Sequence, residues 1–420
     1  MVSLRSMTVL AVKSVRQNYQ SPPEILGLLE TFRRMVNESI RIGLANNISS
    51  LRKLSQLSYN QLASYDTPSY YKLCAISRAA GILASRKKSI RRGYPNRTPY
   101  AHRPLLVSCY GFKIINDQLQ IPVARGSRFN MPLSKHTMDV ISEPGVTVRS
   151  FTLTRNSLSL CIAREVPEVE CVSTVGVDRN LRNLTVGNEQ CTIKYDLSGA
   201  VEIAETTTRI IASFHRDDAR IRRRIASKYG RRRRNRIDHL FHNTARTIVT
   251  MAVQRREAIV LEEITGVRRL YYRGNGQGRK YRGRMNSWSY AEAKRQLEYK
   301  ARWVGLPIIR LSRAETRGTS VYCPRCGERL QSDKRLRRKL WCEKCRRMMD
   351  RDAVAAINIA LRGRLRFDRS QPTTQAKGGA IEAMKENPTP MVISGVDAPK
   401  LTYTHDGLTE PTRNNKPPPV

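Results

Sequence analysis

STVGVDRNLRNLTVGNEQCTIKYD, residues 173–196, carries three short runs of strand length separated by polar turns. Residues 175–178, 184–187 and 191–196 are rich in β-branched and aromatic side chains, and the gaps between them suit tight connections, so the stretch predicts a three-stranded meander. Beyond it the apolar period lengthens. Residues 201–254 read as a long helical stretch, with Gly230 as the expected break between two helices. Four apolar residues closed by a carboxylate, 258–262, predict a buried strand. An amphipathic helix over 287–304, a further strand over 307–311 and a last apolar helix over 353–362 complete the series.

The order β-β-β-α-β-α-β-α is that of an RNase H-like α/β core, and it directs attention to three acids. Asp178 closes the first, apolar strand with a turn just beyond it, where a carboxylate can bind a metal. Glu262 closes the strand of Ala258-Ile259-Val260-Leu261; alternation sends Glu262 and Glu263 to opposite faces, so one of them joins Asp178, and Glu262 is the choice. Asp352 opens the helix of Ala353-Val354-Ala355-Ala356-Ile357. Singly, these acids read as a turn residue, a strand-end charge and a helix N-cap. Together, in the order Asp, Glu, Asp on strand, strand and helix of one fold, they form a cluster of hard oxygen ligands suited to Mg2+ or Mn2+. Two such ions activate a water and stabilise the leaving oxygen of a phosphodiester. Asp178, Glu262 and Asp352 are therefore the expected catalytic and magnesium-binding residues of a hydrolase that cuts nucleic acid.

A second metal is expected between these elements. Cys323 and Cys326 form one C-x2-C pair, Cys342 and Cys345 another, with residues 327–341 between them, a spacing that places four thiolates around one tetrahedral zinc. A closed four-sulfur set leaves no open position, so this zinc is structural. Pro324 and Gly327 tighten the first knuckle, while Arg335, Arg337, Arg338 and Lys339 load the intervening hairpin with charge. Cys74, Cys109, Cys161, Cys171 and Cys191 are scattered among apolar or strand-like neighbours and read as plain structural thiols; an odd total of nine argues against a disulfide framework.

The composition names the partner. Across 420 residues, 76 Lys and Arg against 35 Asp and Glu give a formal net charge of +41, a self-repulsion tolerable beside a polyanion. Arg222, Arg223, Arg224, Arg231, Arg232, Arg233 and Arg234 on the long helical stretch, with Arg337 and Arg338 on the hairpin, are the expected nucleic-acid contacts. Residues 266–286 lack apolar periodicity and read as a mobile basic loop beside the acids. Its Tyr271, Tyr272 and Tyr281 suit stacking on bases, whereas Trp288 reads as core. The chain shows neither an unbroken apolar run of about 18 residues nor an amino-terminal signal, so no membrane is expected as a partner. The reading is of a soluble, cytoplasmic, nucleoid-associated protein.

The amino-terminal part reads as helices inserted into a small β domain: a strand over 7–12, a helix over 23–45 with Ile25, Leu28, Leu29, Phe32, Val36 and Ile40 on one face, and a helix over 69–90 with a cationic tip. A hairpin of 146–153 and 158–163 comes next. The domain expectation is a β-rich, barrel-like unit over 1–20 and 105–171, a helical unit over 21–104, a nuclease core over 172–320 and 348–366, a zinc-ribbon insert over 321–347, and a disordered tail over 367–420.

Four stretches together resemble the transposon-encoded TnpB family, compact relatives of type V CRISPR effector nucleases. They are GVDRNLRNLTVG (176–187), IVLEEITGV (259–267), QLEYKARWVGLPIIRLSRAETRGTSVYCPRCG (296–327) and DRDAVAAINIA (350–360). The resemblance covers about residues 172–362. It implies that Asp178, Glu262 and Asp352 are RuvC-type catalytic acids and that the four cysteines form a target-nucleic-acid-binding zinc ribbon. It also implies a guide RNA and a double-stranded DNA target cut by a metal-dependent endonuclease, with β-rich and helical domains for recognition. Arg179-Asn180 after the first Asp departs from the smaller residues of many relatives. A guide-independent RNase H-fold transposase, or a regulator derived from such a nuclease, are the competing readings; transposases of this fold usually order their acids Asp, Asp, Glu.

Overall fold

The computed structural model describes residues 8–94, 97–124, 126–214, 219–272, 274–332, 336, 338–370 and 401–402. It divides the chain into two units, Val12–Glu165 with Ala376–Val420, and Met1–Ala11 with Val166–Gln375.

In the first unit, helix Pro23–Ala45 buries Ile25, Leu28, Leu29, Phe32, Met35, Val36 and Ile40. These residues recur at three- and four-residue spacing, so they share one stripe that a neighbour must cover. Helix Ser69–Arg91 buries Tyr71, Cys74, Ala75, Ile76, Ala79, Ala80 and Leu83 and packs on the first helix. Lys88 and Arg91 lie in its last turn, where cations favour the helix dipole. The β part is a sheet in which Thr8–Asn18, Ser157–Pro167 and Thr147–Thr154 are successive neighbours, with Leu105–Ser108 also pairing to the last. Thr147–Thr154 and Ser157–Pro167 form the expected hairpin, closing at Thr154 opposite Ser157. Leu401–Thr402 pair with Val148 and Thr147; the remainder of the expected tail beyond Ser370 lies outside the described residues.

The second unit is built on one five-stranded sheet in the order Thr192–Asp196, Asn183–Gly187, Ser173–Arg179, Glu257–Glu262, Ile308–Leu311. The first three strands are an antiparallel meander; the last two run parallel to Ser173–Arg179. The central strands are buried on both faces, which is why 258–261 is a continuous apolar run. Val175, Val177, Ile259 and Leu261 point to one face and pack with Ile237, Phe241, Ile248 and Leu297 from helices Ala219–Gln254 and Tyr290–Trp303. Val260 points to the other face, against Ile359 of helix Arg351–Ser370.

That second face depends on two glycines. A Cβ on Gly176 would stand 2.1 Å from the Ala356 carbonyl oxygen and 2.6 Å from the Ala360 nitrogen, both backbone atoms. A Cβ on Gly363 would stand 2.2 Å from a Val260 methyl. The helix therefore lies directly on the sheet, and Thr174 Oγ1 donates to the Ala360 carbonyl at 2.9 Å along the same seam.

Three expectations are corrected. Gly230 does not break the helical stretch: the helices are Ser198–Ser213 and Ala219–Gln254, and Gly230 lies inside the second. One interior glycine costs about 1 kcal/mol against alanine, which the burial of Ile237, Phe241, Ala245, Ile248, Val249 and Ala252 outweighs. The basic stretch after Glu262 is not all loop. It holds a turn of 3-10 helix, Val267–Leu270, and helix Arg279–Ser287, whose single buried residue, Met285, left no periodic signal. The last helix starts at Arg351 and runs to Ser370, past the expected end. Among the described residues no helix is long and apolar enough to cross a membrane.

Candidate functional site

Alternation along the sheet puts Gly176 and Asp178 on one face, and Val260 and Glu262 on the same face. This is the face that helix Arg351–Ser370 covers, and its first turn carries Asp352. Three acids from three elements are thus brought to one end of one seam. Glu262 is half-buried while Glu263 is exposed, as the alternation requires. Burial, together with the nearby charges of Glu262 and Asp352, pushes the Asp178 carboxyl up to about 7, against the opposing pull of Asn180 and Arg338. Burial also raises Glu262, with Arg179 opposing.

Asp352 is free for chemistry because another residue caps the helix. Asp350 Oδ1 accepts from the Asp352 nitrogen at 2.9 Å and the Ala353 nitrogen at 3.2 Å. The Asp352 side chain, only 2% exposed, faces two cations instead: Arg338 donates to its Oδ1, and Lys194 Nζ stands 3.0 Å from its Oδ2. Burial alone would raise this carboxyl, but those two partners hold it below its ordinary value.

The Arg179-Asn180 pair has a visible task. Arg179 is 3% exposed, and its guanidinium donates to the Tyr290 carbonyl at 3.1 Å and to the Glu262 carbonyl. It ties the end of the Glu262 strand to the start of helix Tyr290–Trp303. Asn180 Nδ2 donates to Asp178 Oδ2 at 2.6 Å and to Asn183 Oδ1 at 3.2 Å, which fixes the carboxylate's rotation. Trp288 is not core: it is half-buried, and its Nε1 donates to the Asn180 carbonyl at 3.0 Å. An indole needs a polar partner when its nitrogen is covered, and here the partner is the loop beside Asp178.

Cys323, Cys326, Cys342 and Cys345 form the metal-competent cluster, their four Sγ atoms all within 4.8 Å of one another. The strands Gln331–Ser332, Lys339–Cys342 and Arg347–Asp350 make the ribbon. Each knuckle turns at a left-handed residue after its second cysteine, Gly327 at φ 76° and Arg346 at φ 47°. Such a cluster is compatible with structural zinc. Among the described residues it is the one group of donors this tight, so the three carboxylates stand further apart than the sulfurs do. Asn358 of the long helix donates to the carbonyls of Thr319 at 2.7 Å and Tyr322 at 2.8 Å, holding the ribbon's entry against the seam.

Arg222, Arg223, Arg224, Arg231, Arg232 and Arg234 are exposed and Arg233 is half-buried on one helix, and Arg338 is exposed on the ribbon. Tyr229 lies among them, with Lys228 Nζ 5.9 Å and Arg232 Cζ 5.8 Å from its ring centre. Arg335 and Arg337 lie outside the described residues. Of the remaining thiols, Cys74 and Cys171 are buried and Cys109 and Cys161 half-buried, but Cys191 is exposed just before the edge strand.

Residues 290–359 match the Cas12f1-like, TNB domain family. The TnpB-like protein MJ0751 of Methanocaldococcus jannaschii is 29% identical over 135 residues, which span 32% of this chain and 46% of that protein, less than half its length. A cryo-EM structure of a Cas12f1–sgRNA–target DNA complex has a Cas12f1-like fold in common with this chain, at a TM-score of 0.54 and 14% identity over 80% of this chain and 82% of that one. The sequence likeness thus lies in the carboxy-terminal part of the second unit for the family model and in about a third of the chain for the TnpB-like relative.

Proposed function

We propose that this chain is an RNA-guided DNA endonuclease of a mobile element, cutting its target in a RuvC-type site held by Asp178, Glu262 and Asp352. The observation that carries the reading is the convergence of those three carboxylates, from two parallel strands and the first turn of a helix, at one end of one seam. The strand order, an antiparallel meander continued by two parallel strands, supports an RNase H-like core.

The donor set fits Mg2+ or Mn2+: the acids are hard oxygens, and mutual repulsion with burial raises Asp178 to about 7, so the site gains from positive charge. Bound there, the ions would supply an activated water and charge stabilisation at the leaving oxygen. The protein's own work is positional. Asn180 orients Asp178, Arg179 fixes the backbone that carries Glu262, and Asp350 caps the helix so that Asp352 is not spent on capping. Zinc on the four thiolates would hold the ribbon beside Asp352. The guide RNA and the duplex DNA target are read from the family relation, and the exposed arginines supply the sequence-independent grip on phosphate. A cytoplasmic site of action beside the nucleoid follows from those partners.

The test is to express the full chain with its native flanking DNA, sequence the RNA that copurifies, and supply that RNA in a plasmid cleavage assay. A discrete RNA that directs Mg2+-dependent cutting is expected. Asp178→Ala, Glu262→Ala and Asp352→Ala should each abolish cutting while nucleic-acid binding stays near normal. Only random, salt-labile RNA would withdraw the guided part and leave a guide-independent metal nuclease. Parallel loss of binding in all three variants would mark the acids as structural.

A further inference from the structure

We propose that Lys194 is a fourth functional side chain of this site, a cation that pairs with Asp352 and contacts the substrate phosphate when divalent ions hold the carboxylates. The inference rests on the reading of Asp178, Glu262 and Asp352 as a metal-holding set.

The sheet itself delivers Lys194. Asp178 pairs with Thr185 on the neighbouring strand, and Thr185 pairs with Lys194 on the next. Directly opposed residues share a face, so Asp178, Thr185 and Lys194 stand abreast on the face that helix Arg351–Ser370 covers. The alternation of Thr192–Asp196 agrees: Ile193 and Tyr195 are its more covered residues, and Tyr195 packs into the opposite core, which leaves Lys194 for the polar side. Its Nζ reaches 3.0 Å from Asp352 Oδ2 and 3.8 Å from Asp350 Oδ2.

The pairing is unequal in burial. The Lys194 side chain is 45% exposed, whereas Asp352 is 2% exposed. A half-exposed side chain thus carries its ammonium to a covered carboxylate, which puts Lys194 between solvent and the acids, on the path of an approaching phosphodiester. Arg338 pairs with the same carboxylate from the ribbon hairpin, so the position of its backbone depends on that hairpin. Lys194 is set by backbone hydrogen bonds of the sheet that carries Asp178. A lysine head is a compact point charge on a flexible stem and changes partners easily. With Asp352 given over to a divalent ion, Lys194 would be left with Asp350 Oδ2, 3.8 Å away and half-exposed, and with the non-bridging oxygens of a substrate phosphate.

The experiment measures binding of the full chain to a short DNA duplex as a function of salt, with Ca2+ and with no divalent ion added, for the wild type and Lys194→Met. Each phosphate contact contributes about 0.9 to the slope of log affinity against log salt. With Ca2+ the variant should lose about one such contact; with no ion added, and Lys194 still engaged by Asp352, the two proteins should have equal slopes. An unchanged slope in Ca2+ overturns the proposal, and an equal loss in both media overturns it too, by marking Lys194 as a general surface charge. Mn2+ titration of the wild type and Asp178→Ala, followed by calorimetry, separates the two readings. Asp178-dependent Mn2+ binding with unchanged slopes removes Lys194 alone, whereas Mn2+ binding indifferent to Asp178 removes the metal site and this proposal with it.

Discussion

Asp178 is held where both its surroundings and its neighbours work against its charge, and that gives it a measurable signature. Its folded-state carboxyl titrates near 7, above the ordinary value of 3.8. A group raised on folding leaves stability intact while it is protonated and withdraws it as pH rises through the folded value. Asp178→Asn should therefore raise the melting temperature above about pH 7 and leave it nearly unchanged at pH 4, by calorimetry with no Mg2+ or Mn2+ added; equal gains at both pH values would show that charge is not the cause. Asp178 and Glu262 stand out in the sequence because an acid that ends an apolar run is locally anomalous, and Asp352 because it opens an apolar helix. The contacts that Lys194, Arg338 and Trp288 make beside them do not. Their meaning depends on which residue stands opposite across a sheet or a hairpin, and register is a long-range property that local pattern does not carry. Alternation in 192–196 does hint that Lys194 faces away from Ile193 and Tyr195, but not that Asp352 waits there. Asp350 was equally hidden: two acids two residues apart at a helix start look alike until hydrogen bonds assign one to the cap.

Elements were readable in proportion to how much apolar surface they bury. The strands of the second unit appear within a residue or two of their expected ends, since each is a short apolar run with turns on both sides. Helix Arg279–Ser287 buries one residue and so carries no periodic signal to set it apart from a loop. Gly230 suggests a break inside helix Ala219–Gln254, yet its α-carbon has open space around it, with nothing within 4 Å of a Cβ placed there. Gly230→Ala should accordingly be tolerated and stabilise the helix by roughly 1 kcal/mol, seen as a higher melting temperature; a loss would mean that the glycine serves a bend. The cysteine ribbon was the plainest reading, because tetrahedral ligation dictates spacing. Cys323→Ser with Cys326→Ser should release close to one equivalent of zinc by elemental analysis and destabilise the ribbon. Undiminished metal content would remove the assignment.

For the whole chain, the formal charge of +41 is a statement about partners more than about fold. Six of the seven arginines on helix Ala219–Gln254 that were expected to bind are exposed. Replacing arginines 231–234 with alanine should weaken nucleic-acid binding across sequences and flatten its salt dependence by up to about 0.9 per lost phosphate contact. Unchanged salt dependence would return that run to the status of a solvated face. Its fold should survive, since the stripe that packs this helix begins at Ile237.

The ribbon's last strand, Arg347–Asp350, passes into helix Arg351–Ser370 without an intervening loop, and the Arg351 nitrogen donates to the Arg338 carbonyl at 2.8 Å. Mechanically, the hairpin is a lever whose short end is the first turn of that helix. Gly176 lets the helix body bed directly on the sheet and so supplies the fulcrum. A displacement of the hairpin therefore has no loop to absorb it before it reaches the backbone of Asp352.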